Sequence, residues 1–156
     1  MNLRGRPPEA IIEVPKTWKK VDTGKFGFSM PPEMKQKKVS GIDTYVWQYD
    51  APDISLSIEA GDLGGDFSFE RDRYESSVQH VLINGLKAER LVLDLNKPNL
   101  KNWSLNADGS TKVLSARENL VVGLYFPDKG TKFWITRTPE VPLSTADSIL
   151  NSIRFN

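Results

Sequence analysis

A chain of 156 residues with 38% hydrophobic and 26% charged residues falls in the range of a single globular domain, able to bury roughly 70% of its unfolded surface without staples. A net charge of +1 excludes the global basic field of a nucleic-acid-binding module, and the absence of cysteine excludes disulfides, thiolate metal sites and thiol nucleophiles. No run of 18 apolar residues offers a membrane-spanning helix.

Residues 1–15 are punctuated by Pro7, Pro8 and Pro15 and form an expected flexible lead-in, leaving 16–156 as one folded unit. The lead-in carries Arg4 and Arg6 but no apolar stretch of the kind a secretion signal needs. Any membrane-peripheral attachment is therefore expected to run through a segment preceding Met1. After Trp18, the alternation of Phe26, Phe28 and Met30 predicts a strand that Pro31 and Pro32 stop. The stretch from Lys37 to Tyr49 reads as two extended pieces around Ser40 and Gly41. In the second piece Tyr45, Trp47 and Tyr49 share one face. A turn at 50–53 and the clean alternation Ile54, Leu56, Ile58 complete a predicted antiparallel hairpin.

Beyond the flexible loop 61–66, Tyr74, Val78, Val81 and Leu82 recur at i, i+4, i+7 and i+8, which predicts an amphipathic helix starting at Ser68 and ended by Asn84 and Gly85. Leu91, Leu93 and Leu95 mark the next strand, and 96–110 is a predicted long loop holding Trp103. The run 120–126 is apolar on both sides and predicts a strand covered on both faces, returning through Pro127–Gly130 into 131–136. Ser144 and Asp147 have capping-box spacing, and Ala146, Ile149, Leu150 and Ile153 give the stripe of a core-facing C-terminal helix. About six strands and two helices predict an α+β domain.

Four segments carry a resemblance. They are Trp18 followed by Phe26-Gly-Phe-Ser-Met-Pro31, then Gly41-Ile-Asp43, then Val81-Leu-Ile-Asn-Gly-Leu-Lys-Ala88, and last Ala146-Asp-Ser-Ile-Leu-Asn-Ser-Ile-Arg-Phe155. Together they resemble the PsbP-like group, whose members include photosystem accessory proteins, a Ran-binding factor and bacterial envelope lipoproteins of the DcrB type. The resemblance implies an α/β/α sandwich around an antiparallel sheet and a non-catalytic binding or accessory role; a monomer is expected. Every matching residue is structural, so no ligand-binding residue carries over, and fold implies little about function.

Among chemistry-bearing residues, the single histidine, His80, has no nucleophile or carboxylate motif beside it, so an ordinary structural role is favoured over catalysis. Seven carboxylates between 41 and 70, with no Lys or Arg among them, include Glu59, Asp62 and Asp66, a set able to approach a hard cation such as Ca²⁺ across the 61–66 loop. The competing reading is a solvated acidic edge that blunts strand pairing. Residues 1–40 hold nine Lys or Arg against four acids, with Lys16, Lys19 and Lys20 near Trp18 and Lys35, Lys37 and Lys38 together. Lysines beside an aromatic ring suit phosphate groups, but a pI of about 7.9 falls short of nucleic-acid binders, so a solvated or membrane-facing surface is favoured. The basic and acidic segments can also pair with each other. Tyr45, Trp47 and Tyr49 offer a binding platform for a sugar or peptide, although alternation favours their being the core face of the strand.

These features favour a non-catalytic accessory domain that binds a protein or small ligand, expected in a bacterial periplasm or envelope, with no cofactor and no nucleic acid. A metal-assisted hydrolase built on the 41–70 carboxylates and a cytosolic protein-binding adaptor are the alternatives.

Overall fold

Strand pairing organises the molecule almost from end to end. A computed structural model describes residues 14–37, 45–60, 67–98 and 120–156. The strands are β1 Lys19–Asp22, β2 Phe26–Met30, β3 Lys35–Lys37, β4 Tyr45–Ala51, β5 Ile54–Ala60, β6 Tyr74–Ile83, β7 Leu86–Pro98, β8 Leu120–Phe126, β9 Thr131–Arg137 and β10 Arg154–Phe155. Among the described residues two α-helices interrupt them, α1 Ser68–Arg73 and α2 Leu143–Asn151. Seven strands form one antiparallel sheet in the order β3-β4-β5-β9-β8-β7-β6, and three form a second in the order β1-β2-β10.

This corrects the expected architecture. Strand makes up 59% of the described residues against 16% helical, so the described part of the chain is mostly β and not an α+β sheet covered by helices on both faces. The largest single change is at 74–83. The spacing of Tyr74, Val78 and Leu82 is even, so it satisfies the two-residue period of a strand as well as a helical stripe. Pairing decides between them, because β6 lies against β7 from Val78↔Leu91 to Ile83↔Leu86. Asn84 and Gly85 adopt φ of 47° and 84°, the left-handed pair that a two-residue hairpin turn requires, so they join two strands instead of ending a helix. Val78 and Val81 consequently point to opposite faces and enter different clusters. The expected helix shrinks to the six residues of α1.

Other expectations hold. The β4–β5 and β8–β9 hairpins form, and β8 lies between β9 and β7 with Val122 fully buried. One face of the large sheet, including Leu56, Ile58, Val122, Leu124, Phe133 and Ile135, packs against Phe26, Phe28 and Met30 of β2 and against Ala146, Ile149 and Leu150 of α2. Edge-to-face ring pairs weld the two sheets, Phe26 with Phe133 at 5.2 Å and Phe28 with Tyr49 at 5.3 Å between centroids. Such pairs add ~0.5–1.5 kcal/mol each beyond their area. The opposite face carries a smaller cluster of Phe67, Leu91, Leu93 and Val121. Phe67 sits so close over the sheet that a Cβ on Gly123 would lie 2.8 Å from its ring, so that position must lack a side chain.

The predicted capping box does not form. Helix α2 starts after Pro142 with no side-chain cap, and Asp147 instead accepts a two-pronged ion pair from Arg90 of β7, its Oδ1 2.9 Å from Nη2. That contact pins α2 to the large sheet.

Candidate functional site

The three-stranded sheet has one face in the core and one turned outward, and register alone sorts its side chains. Lys20 lies opposite Ser29, and Arg154 lies opposite Gly27, while Val21 opposite Phe28 belongs to the inner face. Lys19, one residue earlier than Lys20, falls on the inner side and donates its Nζ to the Met34 carbonyl at 2.7 Å. Adjacent lysines therefore have different work.

Ahead of β1, the Trp18 N–H donates to the Pro15 carbonyl at 3.1 Å, closing a turn that half-buries Trp18 against the core and leaves Lys16 exposed. At the far end of the chain, Ser152 follows α2. Its hydroxyl accepts the Ser29 N–H at 2.8 Å and donates to the Ile149 carbonyl at 2.6 Å, fastening β2 to the helix end. Asn84, held at its left-handed turn, donates Nδ2 to the Ile153 carbonyl at 2.7 Å. The β6–β7 turn, the outer face of the small sheet and the Trp18 turn thus converge on one open cleft of about 500 Å³. Lys16, Lys20 and Arg154 line it together with Trp18, Val14 and Pro15, above a polar floor of Ser29, Ser152 and Asn84. No acid lines it. The side chains of Lys16, Lys20 and Arg154 form no hydrogen bond or ion pair among the described residues.

The other basic group fares differently. On the outer face of the large sheet, Lys37 Nζ meets Asp50 Oδ2 at 2.9 Å, Gln48 Nε2 donates to Asp50 Oδ1 at 2.6 Å, and Ser57 Oγ donates to Gln48 Oε1. Burial raises the Asp50 carboxyl, but hydrogen bonds from Gln48, Lys37 and Ser55 and the Lys37 charge outweigh it and hold the group below its ordinary value. The expected pairing of basic and acidic segments is realised here. Lys38 lies outside the described residues.

Of the acidic set, Glu59 is exposed on β5 opposite Lys132, and Asp62 and Asp66 lie outside the described residues. Among the described residues, no group of three metal-ligating side chains comes together. In the aromatic stripe, Tyr49 is buried, Trp47 packs its ring 5.0 Å from that of Phe26, and Tyr45 lies on β4. Tyr49 and Trp47 thus belong to the core, where burial raises the Tyr49 hydroxyl. His80 is exposed on β6 opposite Glu89 and lies outside the cleft lining. No described helix is long and apolar enough to cross a membrane.

Compared with known families and with characterised proteins, the chain matches no family model and no curated sequence. The resemblance to the PsbP-like group therefore rests on the quoted motifs alone.

Sequence reasoning placed Lys16 and Lys20 beside Trp18 but missed Ser29, Asn84, Ser152 and Arg154. Two signals were available. Reading Asn84-Gly85 as a hairpin turn brings that turn to the sheet end, and the parity of Lys19 and Lys20 separates the anchoring lysine from the free one. Nothing in the sequence announces that β10 pairs with β2, which is what delivers Arg154.

Proposed function

We propose that this domain acts by binding and not by catalysis, as an accessory domain that recognises a ligand or partner through the Trp18 cleft. One observation carries the reading: three cationic side chains converge on a concave site with an aromatic wall, without partners of their own among the described residues. Folding gains nothing from leaving such groups unpaired, and recognition does. The cleft's size is that of small-ligand sites, ~300–1,000 Å³. Among the described residues its lining contains no nucleophile–base pair: the Ser152 hydroxyl is engaged on both sides within the fold, and its nearest partners are backbone groups. The placement in a bacterial envelope belongs to the same proposal and is supported by the resemblance and by the cysteine-free composition.

A panel of anionic, neutral and cationic small molecules, followed through the backbone amide shifts of the labelled protein, tests it. Saturable shifts at Trp18, Lys20, Ser29 and Arg154, with the bound compound recovered unchanged, are the expected result. Hits that map away from the cleft, or a compound consumed with multiple turnover, would overturn the binding assignment.

A further inference from the structure

We infer that the cleft takes a phosphate-bearing ligand, its phosphate gripped by Lys16, Lys20 and Arg154 and its planar or apolar remainder laid against Trp18. This rests on the binding role proposed above and adds the chemistry of what is bound.

Charge supplies the first argument. Three formal positive charges surround the cleft. Among the described residues, two negative features stand close by. The C-terminus of α2 reaches the cleft through its capping residue Ser152, and a helix end carries about half an elementary negative charge. Asp22 shares the outer face of the small sheet, one row from Lys20, in line with Gly27 and Arg154. It does not line the cleft and is occupied by the Gly24 N–H at 2.8 Å and by Asn156 Nδ2 at 3.4 Å. Counting both in full still leaves a surplus of about one and a half positive charges, which matches the −1.5 to −2 of a phosphate monoester near pH 7. A single carboxylate would leave the site overcharged.

Donor geometry supplies the second. Lysine ammonium groups act as mobile point charges with three donors each, while the arginine guanidinium offers a planar fork that spans two phosphate oxygens. All three residues are exposed and their side chains have no partner among the described residues, so none must be pulled from one to close on the anion. The half-buried Trp18 ring, fixed by the Pro15 turn, supplies a surface that inorganic phosphate does not use and an organic phosphate does.

A phosphate ester can come from a soluble metabolite or from a lipid headgroup, and the probes separate the two. At low ionic strength, amide-shift titrations with inorganic phosphate, phenyl phosphate and the neutral benzyl alcohol are run beside co-sedimentation with phosphatidylcholine vesicles, with and without phosphatidic acid. Phenyl phosphate should bind at Trp18, Lys20 and Arg154 at least tenfold more tightly than either inorganic phosphate or benzyl alcohol. The Lys20→Glu/Arg154→Glu protein should lose at least tenfold, and 0.5 M NaCl should weaken binding in the same sense. Trp18→Leu should remove the advantage of phenyl over inorganic phosphate; because Trp18 touches the core, the charge-reversed pair, whose residues are exposed, decides if that variant folds poorly. Selective sedimentation with phosphatidic acid by a protein indifferent to phenyl phosphate assigns the lipid source, and the reverse pattern assigns a soluble one. If benzyl alcohol fills the cleft as tightly as phenyl phosphate and charge reversal changes nothing, the cleft remains a binding site and the phosphate assignment falls. Indifference to every phosphate probe and to vesicles overturns it, as does tighter capture of polyglutamate than of any phosphate.

Discussion

Two basic regions, built by neighbouring stretches of the same chain, meet opposite fates. On β3, Lys37 lands across from Gln48 and reaches diagonally to Asp50, a carboxylate that already has Gln48 and Ser55 as partners, and the four close a network on the outer face of the large sheet. On the small sheet, Lys20 lands across from a serine, Arg154 arrives from the far end of the chain across from a glycine, and Lys16 is carried in by a turn. The sequence density of lysine is similar in both. What separates them is whether a carboxylate meets the cation: Asp50 meets Lys37 on the diagonal, whereas the side chains of Lys20 and Arg154 meet none among the described residues and border a cleft instead. Charge counted along a chain says little about a site; charge left unpaired in a hollow says more.

The comparison breaks most severely where the cleft's floor depends on the core. Leu150 is buried in α2, two residues before Ser152. Leu150→Ala should cost about 2–5 kcal/mol through the cavity it leaves. A urea midpoint measured beside wild type checks this, and an unchanged midpoint would mean that α2 does not hold the cleft. Ser152→Ala should cost less, ~1–3 kcal/mol, by stranding the Ser29 N–H in a site where Ser29 is only 8% exposed. It should also loosen the cleft, lowering the affinity of any ligand found there, whereas no change in either property would remove Ser152 from the floor.

The Lys37 network offers a smaller effect with a definite pH sign. A carboxyl held below its ordinary value when folded contributes stability that is complete above the unfolded value near pH 4 and is lost as pH falls through the folded one. Asp50→Asn should therefore flatten the acid limb of the stability–pH curve below about pH 4. Lys37 is 67% exposed, so Lys37→Ala should cost no more than about 1 kcal/mol at neutral pH, an effect diminished by salt. An acid limb of the same steepness in Asp50→Asn would show that other carboxylates carry it.

Much of this was legible in residue pattern, and its failures have physical causes. Alternation at Ile54, Leu56 and Ile58 and the stripe of α2 each reported a buried face, because one period alone fits each of them, while the two-sided apolar run of β8, bounded by turn residues, reported burial on both faces. The stretch 74–83 was ambiguous because residues four and eight apart share a face in a helix and in a strand alike. Its turn dipeptide carried the information that its periodicity lacked. The cleft was half visible. Lys16, Trp18 and Lys20 are local, but Ser29, Asn84, Ser152 and Arg154 reach them only through sheet register and a contact between the two ends of the chain. Pairing between distant strands leaves little local trace in a single sequence.

The smallest expected effect on stability is the sharpest form of the comparison. If the cleft cations are held for a ligand, removing them should cost the fold nothing, since they have no partner to lose among the described residues. Lys20→Gln with Arg154→Gln should leave the urea midpoint within the ~0.5 kcal/mol typical of featureless surface changes, and at low salt should raise it slightly by relieving repulsion among three like charges. The same double variant should lose its ligand. That combination, stability kept or gained while binding is lost, is what separates a functional site from a structural ion pair, and Lys37→Ala should show the reverse, a small loss of stability with the cleft's affinity intact. Midpoints for both variants at 20 mM and 500 mM NaCl, each set beside a phenyl phosphate titration, make the measurement. A loss above ~1 kcal/mol in the cleft variant would mean that Lys20 and Arg154 serve the fold, and the contrast between the two basic regions would collapse.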